Sequence, residues 1–364
     1  MVIQFAHRTF QWQNAGKGKA AVHCVVIGFG KDNNISKSLF SYDDIKGLPT
    51  VNVASNINPY LVDAENIILG KKSEPISKVS PMRYGSKPVD GGHLILTEQE
   101  RIELISCNPM ASDWIRLFIG SEELINSSKR YCLWLESCPP STLRKMGAVL
   151  QRVEGVKQMR LASTKEPTKK QASTPTIFAE MRQPQGNYLA VPEVSSENRI
   201  YLPIAYLEQT VIASNKLYTI SGATRYEFGI MASLMHNAWM RTVTGRLESR
   251  YQYSASIVYN NFPWPLNPTD KQKQTIEVAA QAVLDARAAH PECSLADLYD
   301  PLTMPANLLK AHQQLDKAVD AAYGKTKFAN EAERVAFLFE LYQQVTAPIV
   351  PVQKTKPSKT KKQE

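Results

Sequence analysis

Residues 245–254 read GRLESRYQYS, and four polar side chains in this stretch, Arg246, Glu248, Arg250 and Gln252, are spaced by two. If the stretch is extended, that spacing turns all four toward one side and Tyr251 and Tyr253 toward a core. A carboxylate accepts from cytosine N4 and a guanidinium forks onto guanine O6 and N7, so Glu248 with Arg250 has the chemistry to read one C·G pair. Gln252 can bond adenine N6 and N7 by the same logic. The alternation is also that of a solvated, salt-bridged strand, and composition alone favours this plainer reading.

Other chemistries find little support. There is no Gly-x-Gly-x-x-Gly after a strand, no Gly-x-x-x-x-Gly-Lys-Ser/Thr loop and no Gly-x-Ser-x-Gly elbow, so nucleotide and serine hydrolysis are unsupported. The Gly28-Phe29-Gly30 pair ends a strand without a third glycine and reads as a turn. Asn58-Pro59-Tyr60 is one proline short of the Asn/Asp-Pro-Pro-aromatic motif of amino-methyltransferases, and Asn-Pro is an ordinary turn opener. Cys24, Cys107, Cys132, Cys138 and Cys293 form no Cys-x-x-Cys pair and have no histidine at zinc-ligand spacing, so no metal is expected.

The elements that would position the reader come from patterning. At 364 residues more than one domain is expected. No run approaches the roughly 20 apolar residues of a membrane span, and the N-terminus lacks a secretory signal, which predicts a soluble, cytoplasmic chain. The net charge of +9 hints at a polyanionic partner. Five lysines after residue 353 (Lys354, Lys356, Lys359, Lys361, Lys362) against Glu364 supply 5 − 1 = 4 of it. Residues 3–12 and the β-branched run 20–29 suggest a hairpin around the turn-like GKGK at 16–19, the second strand buried on both faces. Residues 30–60 read as loop, and LASTKEPTKKQASTPT (161–176) as an exposed, protease-sensitive loop.

From Pro268 the pattern turns helical. Thr269 and Gln272 form a capping box before Ile276, Ala280, Val283 and Leu284; Leu308, His312, Leu315 and Val319 recur on one face before Gly324; a third helix starts at Asn330 and turns Val335, Leu338, Phe339 and Tyr342 inward. The end after about residue 351 has too little apolar content to fold.

Two stretches carry a more specific signal: FAHRTFQWQNAGKGKAAVHCVVIGF (5–29), and GRLESRYQYSASIVYNNFPWP (245–265) followed by SLADLYDPLTMP (294–305). Together they resemble the C-terminal part of MmeI-like restriction-modification enzymes, which join a class I S-adenosylmethionine-dependent adenine methyltransferase to a target-recognition domain and a helical C-terminal domain. The resemblance implies an α+β chain: residues 1–30 as the last hairpin of the methyltransferase sheet, 31–60 as linker, 61–266 as a mixed α/β recognition domain, 267–350 as an all-α domain and 351–364 as a basic tail. It implies double-stranded DNA as partner, S-adenosylmethionine as cofactor of the complete enzyme though not of these residues alone, and an upstream methyltransferase or nuclease segment. By the same resemblance, Glu248 and Arg250, the two alternating positions just before Tyr-x-Tyr-Ser, look like the ones that vary with the recognised base in the family. Gln252 is carried with them as a base reader, and Arg246, Ser254 and Lys216 as further DNA contacts. Phe10, in the hairpin where related enzymes place an aromatic ring against the flipped base, is the candidate stacking residue; otherwise Phe10 and Trp12 simply cover the sheet. Two alternatives stand beside this reading. One is a separately expressed specificity subunit completed by an upstream chain; the other is a helical protein-interaction module with incidental charge.

Overall fold

In the computed structural model, which describes residues 1–12, 22–42 and 44–347, the chain is α+β. The GKGK turn and the lysine-rich end lie outside the described residues. The N-terminal sheet is built on Val2–Trp12, which pairs antiparallel with Val22–Gly30 and parallel with Lys37–Ser41; Thr50–Ala54 adds a fourth strand. Two expectations are corrected here. Val22–Gly30 is an edge strand with Val25, Val26, Ile27 and Phe29 exposed, not a strand buried on both faces; a continuous apolar run reports what a strand can bury, not whether neighbours cover it. Residues 30–60, expected as loop, hold two strands, whose Leu39 and Ala54 form a small core with Ala6, Ile57 and Leu61. Segments of five residues are too short for a period of two to stand out.

Two more four-stranded sheets follow. One runs Ala205–Leu207, Tyr188–Pro192, Leu217–Ser221, Met82–Tyr84, all antiparallel; the other runs Ile212–Ala213, Ile115–Ile119, Tyr131–Leu133, Ile95–Leu96. Tyr188–Pro192 is buried throughout, because its alternate side chains serve different cores: Leu189 and Val191 join the large central cluster, Tyr188 and Ala190 a smaller one with Leu124, Ala213 and Leu217. The second sheet packs on the helix Gly147–Leu161 through Val149, Val153 and Val156.

The expected loop 161–176 is largely folded. Leu161 ends a helix, Glu166–Lys170 is helical, and Gln171–Ser173 continues as a 3₁₀ turn. The fully buried Arg160 holds it by donating to the carbonyls of Gln171, Thr174 and Ile177.

The three C-terminal helices are Asp270–Ala288, Ala306–Ala322 and Glu331–Thr346. Thr269 and Gln272 form the capping box, Asn330 accepts from the Glu333 amide, and Gly324 takes the left-handed backbone past the second helix. Ile276, Ala280, Val283, Leu308, His312, Leu315, Val319, Val335, Leu338, Phe339 and Tyr342 are buried. No helix among the described residues is long and apolar enough to cross a membrane.

Candidate nucleic-acid interface

The helix Leu234–Val243 leads into a hairpin of Gly245–Leu247 and Arg250–Gln252, joined by the two-residue turn Glu248-Ser249. Val194–Ser195 pairs with the second strand and forms the other edge of this small sheet. The turn corrects the picture of one extended edge. Arg246 stands opposite Tyr251, so it shares a face with that ring, whereas Arg250 and Gln252 share the other face with Leu247. Chain reversal breaks the period of two that would have aligned all four.

At the tip, Glu248 Oε2 accepts from Arg250 Nη2 at 2.8 Å, with side chains 78% and 46% exposed. Arg246 donates to the Ser249 carbonyl (2.8 Å) and lies 4.0 Å above the Tyr251 ring. Tyr251 and Tyr253 are buried, and Tyr253 Oη is 3.1 Å from His236 Nε2. Glu248 has φ of 58°, a left-handed backbone that residues with a Cβ rarely adopt. Two-residue hairpin turns with positive φ at the first central position ordinarily place glycine there.

Lys216 sits in the turn before Leu217–Ser221, its Nζ 3.2 Å from Glu193 Oε2. The Glu193 main chain joins this turn to the end of the strand Arg250–Gln252: its N–H donates to the Lys216 carbonyl, and its carbonyl accepts from the Tyr253 N–H. Ser254, half-buried, lies beyond that strand with its hydroxyl 3.1 Å from that of Ser256.

Phe10 lies in an aromatic group on the N-terminal sheet. Its ring stacks on Tyr42 (5.2 Å between centroids) and lies 6.0 Å from His7 and 6.1 Å from the half-exposed Trp12; His7 stacks on Phe40 and is 2.8 Å from the Tyr42 hydroxyl. Pairing slips between His7 and Phe10, an irregularity that brings two residues three apart onto one face. Arg8, inside that slip, feels the charges of Glu331 and Tyr251, although burial, the larger influence, lowers its pKa. Glu331 in turn holds Arg241 through the guanidinium Nε at 3.1 and 3.2 Å, and Arg241 donates to the Ile200 carbonyl. The helix Leu234–Val243 and the last helix are thus joined by the Arg241–Glu331 pair.

Sequence reasoning missed Glu193, Arg241, Glu331 and Arg8, because nothing local marks a long-range partner. The long run Tyr253–Pro265 proves to be structural: Tyr253, Tyr259, Asn260, Asn261, Phe262 and Trp264 are buried, and the two asparagine amides donate to main-chain carbonyls of Lys72 and Gly70. Asn58 likewise closes a turn, its Oδ1 accepting from the Tyr60 and Val62 amides. Among the described residues no group of three or more His, Cys, Asp or Glu could hold a metal ion.

Comparison with known proteins bears on this geometry. Residues 63–266 match the family model "MmeI, target recognition domain", 268–350 "MmeI, C-terminal domain" and 1–41 "MmeI, DNA-methyltransferase domain". The chain is 39% identical over 345 residues to DNA methyltransferase A of Bacillus subtilis (strain 168), covering 94% of this chain and 38% of that protein. A solved structure of the Type IIL restriction-modification enzyme MmeI in complex with DNA superposes with a TM-score of 0.86 at 50% identity, over 95% of this chain and 46% of that one. The chain therefore spans less than half the length of either relative.

Proposed function

The chain belongs to the MmeI family, and from that premise we propose that it is the sequence-reading part of an adenine-N6 DNA methyltransferase of a restriction-modification system, acting on double-stranded DNA. The observation that carries this reading is the hairpin tip: an acceptor in the turn and a guanidinium fork at the start of the second strand, side by side and exposed, ahead of two tyrosines buried in the core. The Glu248–Arg250 pair is open to solvent, so exchanging it for contacts to a base pair costs about 1 kcal/mol or less. The left-handed backbone at Glu248 costs about 1–2 kcal/mol and is the kind of strain that a functional position retains. In this reading Glu248 accepts from cytosine N4, Arg250 forks onto guanine, and Gln252 addresses the next pair, while Arg246, Ser254 and Lys216 flank them.

Phe10, with Tyr42 stacked on it, offers an aromatic face to a flipped adenine. S-adenosylmethionine supplies the methyl group in the complete enzyme. Gly28 and Gly30 do not fit it: they lie within a strand, and a Cβ at either would meet the Phe5 ring or the Gln4 amide, so they cradle no ligand.

The test exchanges the chemistry at the tip. In this chain fused behind the upstream part of an MmeI relative, Glu248→Lys with Arg250→Asp puts a donor where the acceptor stood and the reverse. Methylation mapped over a random-sequence library should show preference at one position inverting from C·G to G·C. Each single substitution should weaken use of the original site by ten- to hundredfold, about 1–3 kcal/mol for one spoiled base contact. A double variant that keeps the original base everywhere means the pair is only a surface salt bridge.

A further inference from the structure

The buried asparagine pair of the long motif raises a question the reading hairpin does not answer, namely what it is holding. Asn261 Nδ2 donates to the Gly70 carbonyl (3.0 Å) and Asn260 Nδ2 to the Lys72 carbonyl (2.7 Å). The Ile76 amide donates back to the Asn260 carbonyl (2.9 Å), Tyr259 Oη to the Ser80 carbonyl (2.7 Å), and the Lys72 amide to the Ser256 carbonyl (3.0 Å). Residues 70–80, which form no regular element, are therefore fixed along their length to the segment that immediately follows the reading strand.

What this loop presents is cationic. It reads GKKSEPISKVS, with Lys71 and Lys78 exposed and Lys72 half-buried. Its one acidic residue, Glu74, is engaged by Arg83 at 2.8 Å, so the three lysines have no ion-pair partner among the described residues. Lys72 lies against Ser256, whose hydroxyl is 3.1 Å from that of Ser254, two residues beyond Gln252. Past the loop, Met82–Tyr84 pairs with Leu217–Ser221, and Tyr84 Oη is 2.6 Å from Tyr218 Oη at the foot of the Lys216 turn. The Lys72 main chain is thus fixed beside the Ser254–Ser256 hydroxyl pair that follows the hairpin's second strand.

We infer that the loop of residues 70–80 is a phosphate-binding arm, in which Lys71 and Lys72, with the Ser254 and Ser256 hydroxyls, grip the DNA backbone beside the base pairs that the hairpin reads. The inference rests on the reading proposed above. Ammonium groups on a rigidly tethered loop touch phosphates without sequence information, and so set register and affinity, not specificity. The arm gives the motif a purpose: its buried amides keep the distance between the phosphate grip and the reading tip constant.

The test is equilibrium binding of the full chain to a duplex of random sequence over a series of KCl concentrations. Each phosphate contact contributes about 0.9 to the slope of log affinity against log salt, so the pair Lys71→Gln with Lys72→Gln should flatten it by roughly 2. The control, Lys310→Gln with Lys317→Gln on the outer face of Ala306–Ala322, removes the same charge elsewhere and should leave the slope within 0.5, on the order of half a contact. Base preference in the methylation library should stay unchanged in the arm variant. Wild-type slope in the arm variant, or equal flattening in both pairs, overturns the arm while leaving the hairpin reading in place. Wild-type protein without salt-dependent binding overturns both.

Discussion

Arg160 uses every donor a guanidinium has. Its Nε donates to the Val89 carbonyl, Nη1 to those of Gln171 and Thr174, and Nη2 to those of Pro88 and Ile177, all between 2.8 and 3.0 Å. Five N–H groups meeting five carbonyls is a full match to the fork geometry of arginine, which lysine cannot reproduce with three. Arg160→Lys should leave at least two buried carbonyls unpaired, at roughly 1–3 kcal/mol each, and so lower stability by on the order of 3 kcal/mol. The same variant should become sensitive to limited trypsin cleavage near Lys165, Lys169 and Lys170; a wild-type digestion pattern would show that the segment holds its shape without the clamp. This residue also marks a limit of reading locally. Residues 161–176 look like loop because polar side chains there follow no period, and the group that orders them is the residue just before them, buried at the end of the preceding helix. The hairpin tip was legible in part: the Glu248–Arg250 pairing follows from type and spacing, while the turn between them, made with glutamate where glycine is usual, does not.

Elements are tied to one another by groups serving in place of local signals. Ser233 precedes the helix Leu234–Val243 without a side-chain cap, and Asp316 from the helix Ala306–Ala322 takes over, its Oδ1 accepting from the Leu234 amide at 2.7 Å and its Oδ2 from the Tyr201 hydroxyl at 2.7 Å. Burial pushes this carboxyl up to about 6, against the pull of those two hydrogen bonds and of Arg334, with Asp320 adding to the rise. Because the folded value lies above the ordinary 3.8, the proton stabilises the fold fully below about pH 4, and that stability is lost as pH rises through about 6. The gap, at 1.36 kcal/mol per pH unit, is on the order of 3 kcal/mol. Asp316→Asn keeps an acceptor for Leu234 and carries no charge, so relative to wild type it should gain stability between pH 4 and pH 7. Thermal unfolding of both proteins across that range checks it, since the difference cancels other titrating groups; a difference independent of pH would mean that Asp316 titrates normally. Helices with their own caps, at Thr269 and Asn330, were legible in sequence because capping is local. The strands at 37–41 and 50–54 were not, because five residues gain their strand character from the neighbour they pair with.

At the scale of the molecule, the family boundary at residue 267 does not coincide with a boundary in the core. One hydrophobic cluster runs from Val62 through Leu189, Phe228 and Trp239 to Leu315, Phe339 and Tyr342. Gly229 shows how closely the parts approach: a Cβ there would stand 2.6 Å from Ile276 and 3.3 Å from Ala280 and Leu315. Trp239 packs on Phe339 at 5.3 Å and on Tyr342 at 6.2 Å, so two of its three aromatic neighbours come from the last helix and the third is Phe262. Sequence patterning registers the change at Pro268 from mixed strands to amphipathic helices, but a period shows only that a helix has an apolar face, not whose core that face completes. Removal of residues 268–364 would uncover Phe228, Trp239 and their neighbours at about 1.5–3 kcal/mol for each large side chain, strip the Leu234 helix of Asp316 and leave Arg241 without Glu331. Losses at several such sites together exceed the 5–15 kcal/mol that holds a typical domain folded. The truncated chain is therefore expected to lose near-ultraviolet circular dichroism and to unfold without a cooperative urea transition, whereas the full chain unfolds cooperatively through this shared core. A sharp transition in the truncated chain, with a steep denaturant dependence fitting its length, would show that the recognition region stands alone and that the helices only lean on it.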